Sequence, residues 1–372
     1  MGFAFLFIIL FYTMVLVAIG RKWTNGKNNV AGNPCAVKKA LLVPFRNEAM
    51  HLPAFLGHLK EVAAAVEEVL FIDDHSEDES AALISDFIAA NQLPNWILLK
   101  NDGIGKKAAL TKGVCFSQAQ IILTTDVDCL LPSNWVAQMM QPFQRMGTQL
   151  VAGPVLTKEH SSFFQRFQQI EWSSIILTTS YFFDVGRPIM CSGANLAYRK
   201  SAFLAVQGYV GNENYASGDD EFLLKKIVDK YGAEATIYQY NSKVLVWTQA
   251  LPHFSALLQQ RVRWAGKWSL HQSAVHAMSA IATFLLSLIA IASLALLFGP
   301  SQDKMIFIIF WVLKIGVEKR VLGKVLANFR CHPSLYDYVA TSFLHPIYVI
   351  IVGLGTLRGK YNWKGRDIYF RF

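Results

Sequence analysis

Apolar positions along this chain fall into three kinds of pattern. The first is unbroken. Positions 3–20 read FAFLFIILFYTMVLVAIG without a charge and are followed at once by Arg21 and Lys22, a run long enough to cross a bilayer core as a helix. It lacks the preceding positive charge and the following small-residue cleavage site of a signal peptide, so it is expected to stay as an anchor. Positions 277–298 form a second clean run and 341–357 a further one. Between them 305–317 is short and holds Lys314, so crossing, re-entering and lying flat all stay open. The basic pair after the first run predicts that the next domain is cytoplasmic. Three late crossings would put the basic tail (Arg358, Lys360, Lys364, Arg366, Arg371) outside; positive-inside bias favours a cytoplasmic tail and an even number.

The second pattern is short and repeated. After a turn-rich linker at 25–34, apolar runs of strand length at 40–43, 69–72, 97–99, 121–124 and 150–152 alternate with helix-length stretches. This rhythm predicts an α/β fold with a largely parallel sheet covered by helices on both faces. Ligands of such sheets collect outside the carboxyl ends of the strands. Two of these strands end in acids, Asp73 with Asp74 and Asp126 with Asp128. The third pattern is mixed: 163–183 intersperses aromatics with Gln, Arg and Glu, which suits a helix lying in the headgroup plane, with a core helix as the other reading. The expected organisation is an anchor at 1–24, a linker at 25–37, an α/β domain at 38–270 that includes the interfacial helix, and a membrane region at 271–372 with a basic tail.

Composition supports lipid contact. Hydrophobic residues make up 53% and charged residues 16%, against a soluble norm of roughly 25% charged. The net charge is +9, yet the basic residues gather beside apolar segments, which points to anionic headgroups and not to nucleic acid. The five cysteines are widely spaced with no Cys-x-x-Cys pair, so neither a zinc site nor a disulfide framework is indicated, and reduced thiols fit a cytoplasmic domain.

Several acid and basic clusters carry candidate chemistry. Asp126 and Asp128 leave a strand on an exposed turn, where two carboxylates can hold Mg2+ or Mn2+ while diphosphate oxygens fill other positions. Asp73 and Asp74 could accept hydrogen bonds from a base or ribose, leaving helix capping to Ser76 or Asp78, with His75 incidental. Gly103 to Lys107 opens a helix with backbone amides and two lysines, Lys106 and Lys107, suited to an anion. It lacks the Gly-Lys-Ser/Thr of a nucleoside triphosphatase loop, and a plain helix start is the other reading. Ser217-Gly218-Asp219-Asp220-Glu221 places three acids before a helix; one could be a general base, or all could serve the helix dipole. Gln260, Arg263 and Trp264 lie just before the second long apolar run, where they could bind diphosphate and pack beside an acceptor, or simply anchor the interface.

In this order the motifs resemble the family 2 glycosyltransferases, specifically the membrane-integrated branch with cellulose and hyaluronan synthases and ceramide glucosyltransferases. The likeness runs from about Lys39 to Lys267. VPFRNEA, with Pro44, Arg46 and Glu48, looks like the family's first strand and nucleotide-contacting loop; Asp73 and Asp74 match its nucleoside-binding acids and Asp126 and Asp128 its metal motif. Asp219-Asp220 matches the acidic pair holding the catalytic base, here Asp220, and Gln260, Arg263 and Trp264 match the Gln-x-x-Arg-Trp signature. CSGANLAYRK at 191–200 looks like the acceptor-side segment, and WKGR from Trp363 recurs in non-processive relatives. The resemblance implies a GT-A fold, a UDP-sugar donor with Mn2+ or Mg2+, a lipid or polyisoprenoid acceptor and inversion by direct displacement. Only two or three late apolar segments are present, fewer than polymer-exporting relatives use, which favours single transfer over processive synthesis. A non-catalytic nucleotide-sugar sensor is the reading from another class; it would need no base. A transporter is disfavoured because the apolar runs carry almost no charge.

Overall fold

The computed structural model describes residues 2–23, 37–158, 162–213, 218–266, 274–357, 360–363 and 366–369. The expected linker, Cys35, Ser217 and the tail residues Arg358, Lys364 and Arg371 lie outside these, as do the side chains of Lys360, Trp363 and Arg366. The chain divides into two compact units. One holds Met1–Thr24, Glu159–Tyr181 and Ala250–Phe372; the other holds Asn25–Lys158 and Phe182–Gln249. The division thus groups the mixed helix at 163 and the Gln-x-x-Arg-Trp segment with the long apolar helices.

In the α/β unit all five expected runs become strands. They are β1 (Lys39–Phe45), β2 (Glu68–Asp73), β3 (Trp96–Lys100), β4 (Ile121–Thr124) and β5 (Leu150–Ala152), joined by β6 (Leu196–Arg199) and β7 (Thr236–Tyr238) in the order β3-β2-β1-β4-β6-β5-β7. β3, β2, β1 and β4 are mutually parallel, and β6 runs antiparallel to both its neighbours. The central strands are apolar at successive positions because both faces are covered: Leu41 to Val43, Val69 to Ile72 and Ile121 to Leu123 are fully buried. Register fixes where they end. Asp73 pairs with Phe45, and Thr124 pairs with Leu42, so the carboxyl ends of β2, β1 and β4 emerge on one edge. Strand order reverses between β1 and β4, the place where an open α/β sheet leaves a crevice. A smaller sheet pairs Val246–Thr248 with Cys129–Leu130 and Val155–Thr157.

The other unit is helical: α1 (Gly2–Lys22), α2 (Phe163–Asp184), α3 (Phe254–Ala265), α4 (Ala274–Ala292), α5 (Ser301–Asn328) and α6 (Leu335–Thr356). α1, the stretch Ala277–Phe298 and α6 are each long and apolar enough to cross a membrane. The doubtful segment at 305–317 lies inside the 28-residue α5. Lys314, the reason for doubt, is buried and donates to Glu318 Oε1 at 2.6 Å, one turn on. Tyr12 of α1 donates to the same oxygen at 2.9 Å, and Ser342 of α6 bonds the other at 2.5 Å. A charge in an apolar bundle is tolerated when paired in this way. α6 begins at Leu335, six residues before the expected 341, because Ser334 and Asp337 form a capping box.

α2 owes its mixed composition to partners inside its own unit. Glu171 receives Arg261 Nε at 3.0 Å, Arg261 Nη2 at 2.8 Å and Tyr348 OH at 2.8 Å. Arg166 donates to Asp337 at 2.8 Å, and Gln168 brackets the backbone of Leu251. These polar residues face protein groups, so the helix shows no clean apolar stripe.

Candidate active site

The site is built on the edge where β4 and β2 end. Asp126 follows β4 after Thr125. Lys106 reaches it from the first turn of the helix Lys106–Phe116, and a short loop before that helix sets its position. Gly105 has φ of +90°, a conformation that a side chain would strain. Its N–H donates to Asp74 Oδ1 at 2.8 Å, and Asn101 Nδ2 donates to the same oxygen at 2.8 Å. Asp74 is 2% exposed. The acid expected to bind nucleoside therefore also holds the lysine loop in place.

Lys106 Nζ donates to Asp126 Oδ1 at 2.6 Å and stands 3.7 Å from Asp219 Oδ2. Burial alone would favour the neutral amine, but Asp126 and then Asp219 outweigh it and hold the ammonium well above the ordinary lysine value. A raised lysine is charged throughout the pH range below that raised value, so this positive charge persists at any ordinary assay pH. Lys107, expected as its partner on an anion, turns elsewhere: it donates to Asn212 O at 2.7 Å and lies over the Phe222 ring.

Asp219 and Asp220 open the helix Asp219–Tyr231, where the dipole favours negative charge. Asp220 Oδ2 accepts the Gly193 N–H at 2.9 Å, and Oδ1 accepts the Glu221 N–H at 2.8 Å. A side chain at Gly193 would place its Cβ 3.0 Å from Asp219 Oδ2, 3.4 Å from Lys106 Nζ and 3.7 Å from Asp220 Cβ. A side chain there would push these groups apart by a few tenths of an ångström, so glycine suits the close approach of the 191–195 segment. Thr124 of β4 donates to Gly193 O at 2.6 Å, so that segment is tied to the strand that leads to Asp126. Asp126, Lys106, Asp219 and Asp220 thus share one centre.

Asp128 lies at the start of the small sheet. Its Oδ2 accepts from Thr248 at 3.3 Å, and its Oδ1 accepts from the Cys129 thiol at 3.5 Å. Burial first, then Asp128 and Asp126, push that thiol well above its usual range, so it stays protonated and offers no soft thiolate ligand. Among the described residues no group of three or more His, Cys, Asp or Glu side chains could hold a metal. The hard oxygens of Asp126 and Asp128 therefore fit Mg2+ or Mn2+ only as part of a set that substrate phosphates complete, the usual situation for such ions.

The segment around Pro44, Arg46 and Glu48 braces the loop after β2. Pro44 pairs with Ile72; Arg46 is buried and donates to Asp74 O at 3.0 Å, to His75 O and to Glu77 at 2.8 Å; Glu48 bonds His51 at 2.8 Å. Asp73 Oδ1 accepts the Ser76 N–H at 2.8 Å. Neither Ser76 nor Asp78 is the N-cap of the helix Ser80–Ala90, a position held by Glu79 without a side-chain cap bond; Asp78 instead accepts the Ser80 and Ala49 N–H groups at 3.0 Å, and Ser76 accepts the Asn47 N–H. His75, read as incidental, bonds Gly103 O at 2.8 Å and adds a tie between the two loops.

Gln260, Arg263 and Trp264 stand on α3 in the helical unit. Arg261, between them and unremarked in the sequence, carries the buried pair with Glu171. Its guanidinium packs 4.2 Å from the Trp264 ring centroid and bonds Gln260. Sequence reasoning also passed over Gly193, Thr124 and Asn101 as individual residues. Gly193 and Thr124 sit inside segments already singled out; the available signal is a glycine between polar residues in the first and the end of an apolar run in the second.

Comparison with known proteins places this geometry. Residues 40–206 match the model of glycosyl transferase family 2. The poly-beta-1,6-N-acetyl-D-glucosamine synthase of Staphylococcus epidermidis is 25% identical over 232 residues, 61% of this chain and 53% of that protein. An undecaprenyl-phosphate 4-deoxy-4-formamido-L-arabinose transferase of Aeromonas hydrophila is 28% identical over 116 residues, 29% of this chain and 36% of the relative. The chain thus spans about half, or less, of the length of these curated relatives. A mannosyltransferase from Pyrobaculum calidifontis, solved with GDP-Man and Mn2+, superposes with a TM-score of 0.58 at 16% identity over 95% of this chain and 96% of that one; at that identity the likeness speaks for the GT-A fold alone. On the sequence match, residues 40–206 of the chain form a glycosyl transferase family 2 domain.

Proposed function

We propose that this chain is a glycosyltransferase that moves a sugar from a UDP-sugar to a membrane-associated lipid or polyisoprenoid acceptor, one sugar per acceptor and with inversion. The observation that carries the proposal is Lys106 held between Asp126 and Asp219, with Asp220 fixed against Gly193 in the same centre. Mere storage of a nucleotide-sugar needs no second acidic pair. An acceptor hydroxyl gives its proton to the Asp220 carboxylate as its oxygen attacks the anomeric carbon. The bond from that carbon to the diphosphate breaks, and its electron pair leaves on the diphosphate oxygen. Lys106 supplies positive charge beside the developing negative charge. A divalent cation on Asp126 and Asp128, when bound, would neutralise the leaving diphosphate further.

Asp73 and Asp74 and the loop of Pro44, Arg46 and Glu48 fit roles around the nucleotide, mostly by shaping backbone, whereas Lys107 is taken up by the carbonyl of Asn212. Gln260, Arg263 and Trp264 keep the roles that the family resemblance implies. The α/β domain is assigned to the cytoplasm on the strength of Arg21 and Lys22 after the first apolar run. Undecaprenyl phosphate, for which the Aeromonas relative is named, supports a lipid-linked acceptor. The GDP-Man and Mn2+ bound by the Pyrobaculum mannosyltransferase support a nucleotide-sugar donor and a divalent metal.

The test is a panel of UDP-sugars and GDP-mannose given to the full chain with Mn2+ and total lipid extract. Release of nucleoside diphosphate that needs both lipid and metal, with singly glycosylated lipid as product, is the expected result. Release that ignores lipid, or none with any donor, defeats the proposal. The similarity to a polysaccharide synthase favours the second reading, processive synthesis, and long polymer from the purified protein would establish that reading instead.

A further inference from the structure

The helical unit holds a partly open cavity of about 230 Å³ lined by α1, α2, α4, α5 and α6. That exceeds the roughly 150 Å³ of an apolar cavity known to admit benzene. Most of its wall is aliphatic or aromatic, with Ile9, Leu16, Leu286, Phe310 and Leu322 among the lining side chains. Helices in a bilayer associate through close packing, since lipid tails are as apolar as leucine. A void of this size forfeits those contacts unless something fills it. The outer faces of α1 and α4 carry exposed Phe7, Leu10, Phe11, Ile281 and Leu285, which puts lipid chains at the flanks of the unit.

The polar groups of the wall decide what kind of chain fits. Glu318 is satisfied by Tyr12, Lys314 and Ser342, and Glu171 by Arg261 and Tyr348. Lys314 and Arg261 are therefore each matched by a carboxylate, and among the described residues the wall offers no unpaired positive charge to a phosphate. Ser174, Thr283 and Ser287 line the cavity and spend their hydroxyl protons on carbonyls of their own helices, Glu171 O, Ser279 O and Thr283 O. Each keeps lone pairs that can accept. His345 also lines the cavity, touching the rings of Phe167 and Tyr348. Its ring nitrogens have no hydrogen-bond partner among the described residues. The wall thus offers acceptors, one uncommitted imidazole, and two buried hydroxyls, Tyr338 and Thr341, that have no partner among the described residues and can both donate and accept.

We propose that this cavity binds an uncharged lipid through a hydroxyl, with the group donating to His345 or to the hydroxyls of α2 and α4 and the hydrocarbon filling the apolar end. The inference concerns a ligand site in the helical unit and does not depend on the transfer reaction proposed above.

The test uses the full chain in phosphatidylcholine nanodiscs with three photoreactive diazirine probes of one chain length: hexadecanol, hexadecyl phosphate and hexadecane. Expected is labelling of peptides from α4 and α6 by the alcohol, exceeding the phosphate and the alkane by roughly five- to tenfold, the size of one hydrogen bond. His345→Phe, which keeps a ring of similar size, should remove most of that preference, and Ser287→Phe should suppress labelling by occupying the space. The comparison among probes in the unaltered protein stands even if a variant fails to fold. Equal labelling by the alkane, preferential labelling by the phosphate, labelling confined to other peptides, or a preference unchanged in folded His345→Phe would each overturn the proposal.

Discussion

Asp126→Asn is expected to lower sugar transfer by about 100- to 1,000-fold, the size of losing one preorganised electrostatic contact at developing charge. Two consequences of the geometry add up in this variant. Asp126 Oδ1 is the closest acceptor of the Lys106 ammonium, at 2.6 Å, so the amide leaves that cation leaning on Asp219 at 3.7 Å. It also removes one of the two carboxylate charges at the turn after β4. Because the substitution is isosteric and the side chain sits on a turn at the sheet's edge, the fold should survive. The check is steady-state transfer at saturating Mn2+ alongside the thermal midpoint. A variant that unfolds no earlier yet transfers within tenfold of the parent would remove Asp126 from the centre.

Asp220→Asn is expected to reduce kcat by about 100- to 10,000-fold, the range for losing a positioned general base, while donor affinity changes little. Both Asp220 oxygens accept backbone N–H groups, from Gly193 and Glu221. An amide has one acceptor oxygen, so the variant also loosens the 191–195 segment. Asp219→Asn separates the two effects, since Asp219 stands beside Lys106 and its loss perturbs charge without altering the Gly193 N–H contact. Nucleoside diphosphate binding measured by calorimetry, beside the single-turnover rate, distinguishes them: a base loses rate and keeps binding, whereas a purely architectural acid loses both together.

The α/β half of the fold was legible because its strands are buried on both faces, and such strands write themselves as uninterrupted apolar runs. β1 to β5 contain the five runs read from the sequence. β6 escaped notice as a strand because LAYR ends in an arginine, whose side chain donates to the Thr148 and Phe143 carbonyls. β7 and the strands of the small sheet have two or three residues each, too few for any periodicity. Among the long helices, Lys314 interrupts the apolar run of α5, because the glutamate that neutralises it stands one turn on and its other partners come from distant segments at Tyr12 and Ser342.

The site was legible at the level of turns and not at the level of contacts. That acids follow β2 and β4 could be read directly. That Lys106 and not Lys107 faces those acids depends on the helix phase fixed by Gly105, and Lys107 is captured by the carbonyl of Asn212. Asp74 was read as a ligand-facing acid; its burial under the Asn101 and Gly105 donors arises from loops that meet only in the folded sheet. Arg261 was hidden between the motif residues that drew attention, and its partner Glu171 lies 90 residues away in sequence.

The most direct measurement of the shared centre is Mn2+ binding followed by electron paramagnetic resonance, with and without UDP, in the unaltered chain and in Asp126→Asn. The proposed coordination set combines protein carboxylates with diphosphate oxygens, so on that proposal UDP should tighten Mn2+ binding in the unaltered chain, and the substitution should abolish that gain. Mn2+ binding that is indifferent to UDP, or equally tight after the substitution, would contradict the account.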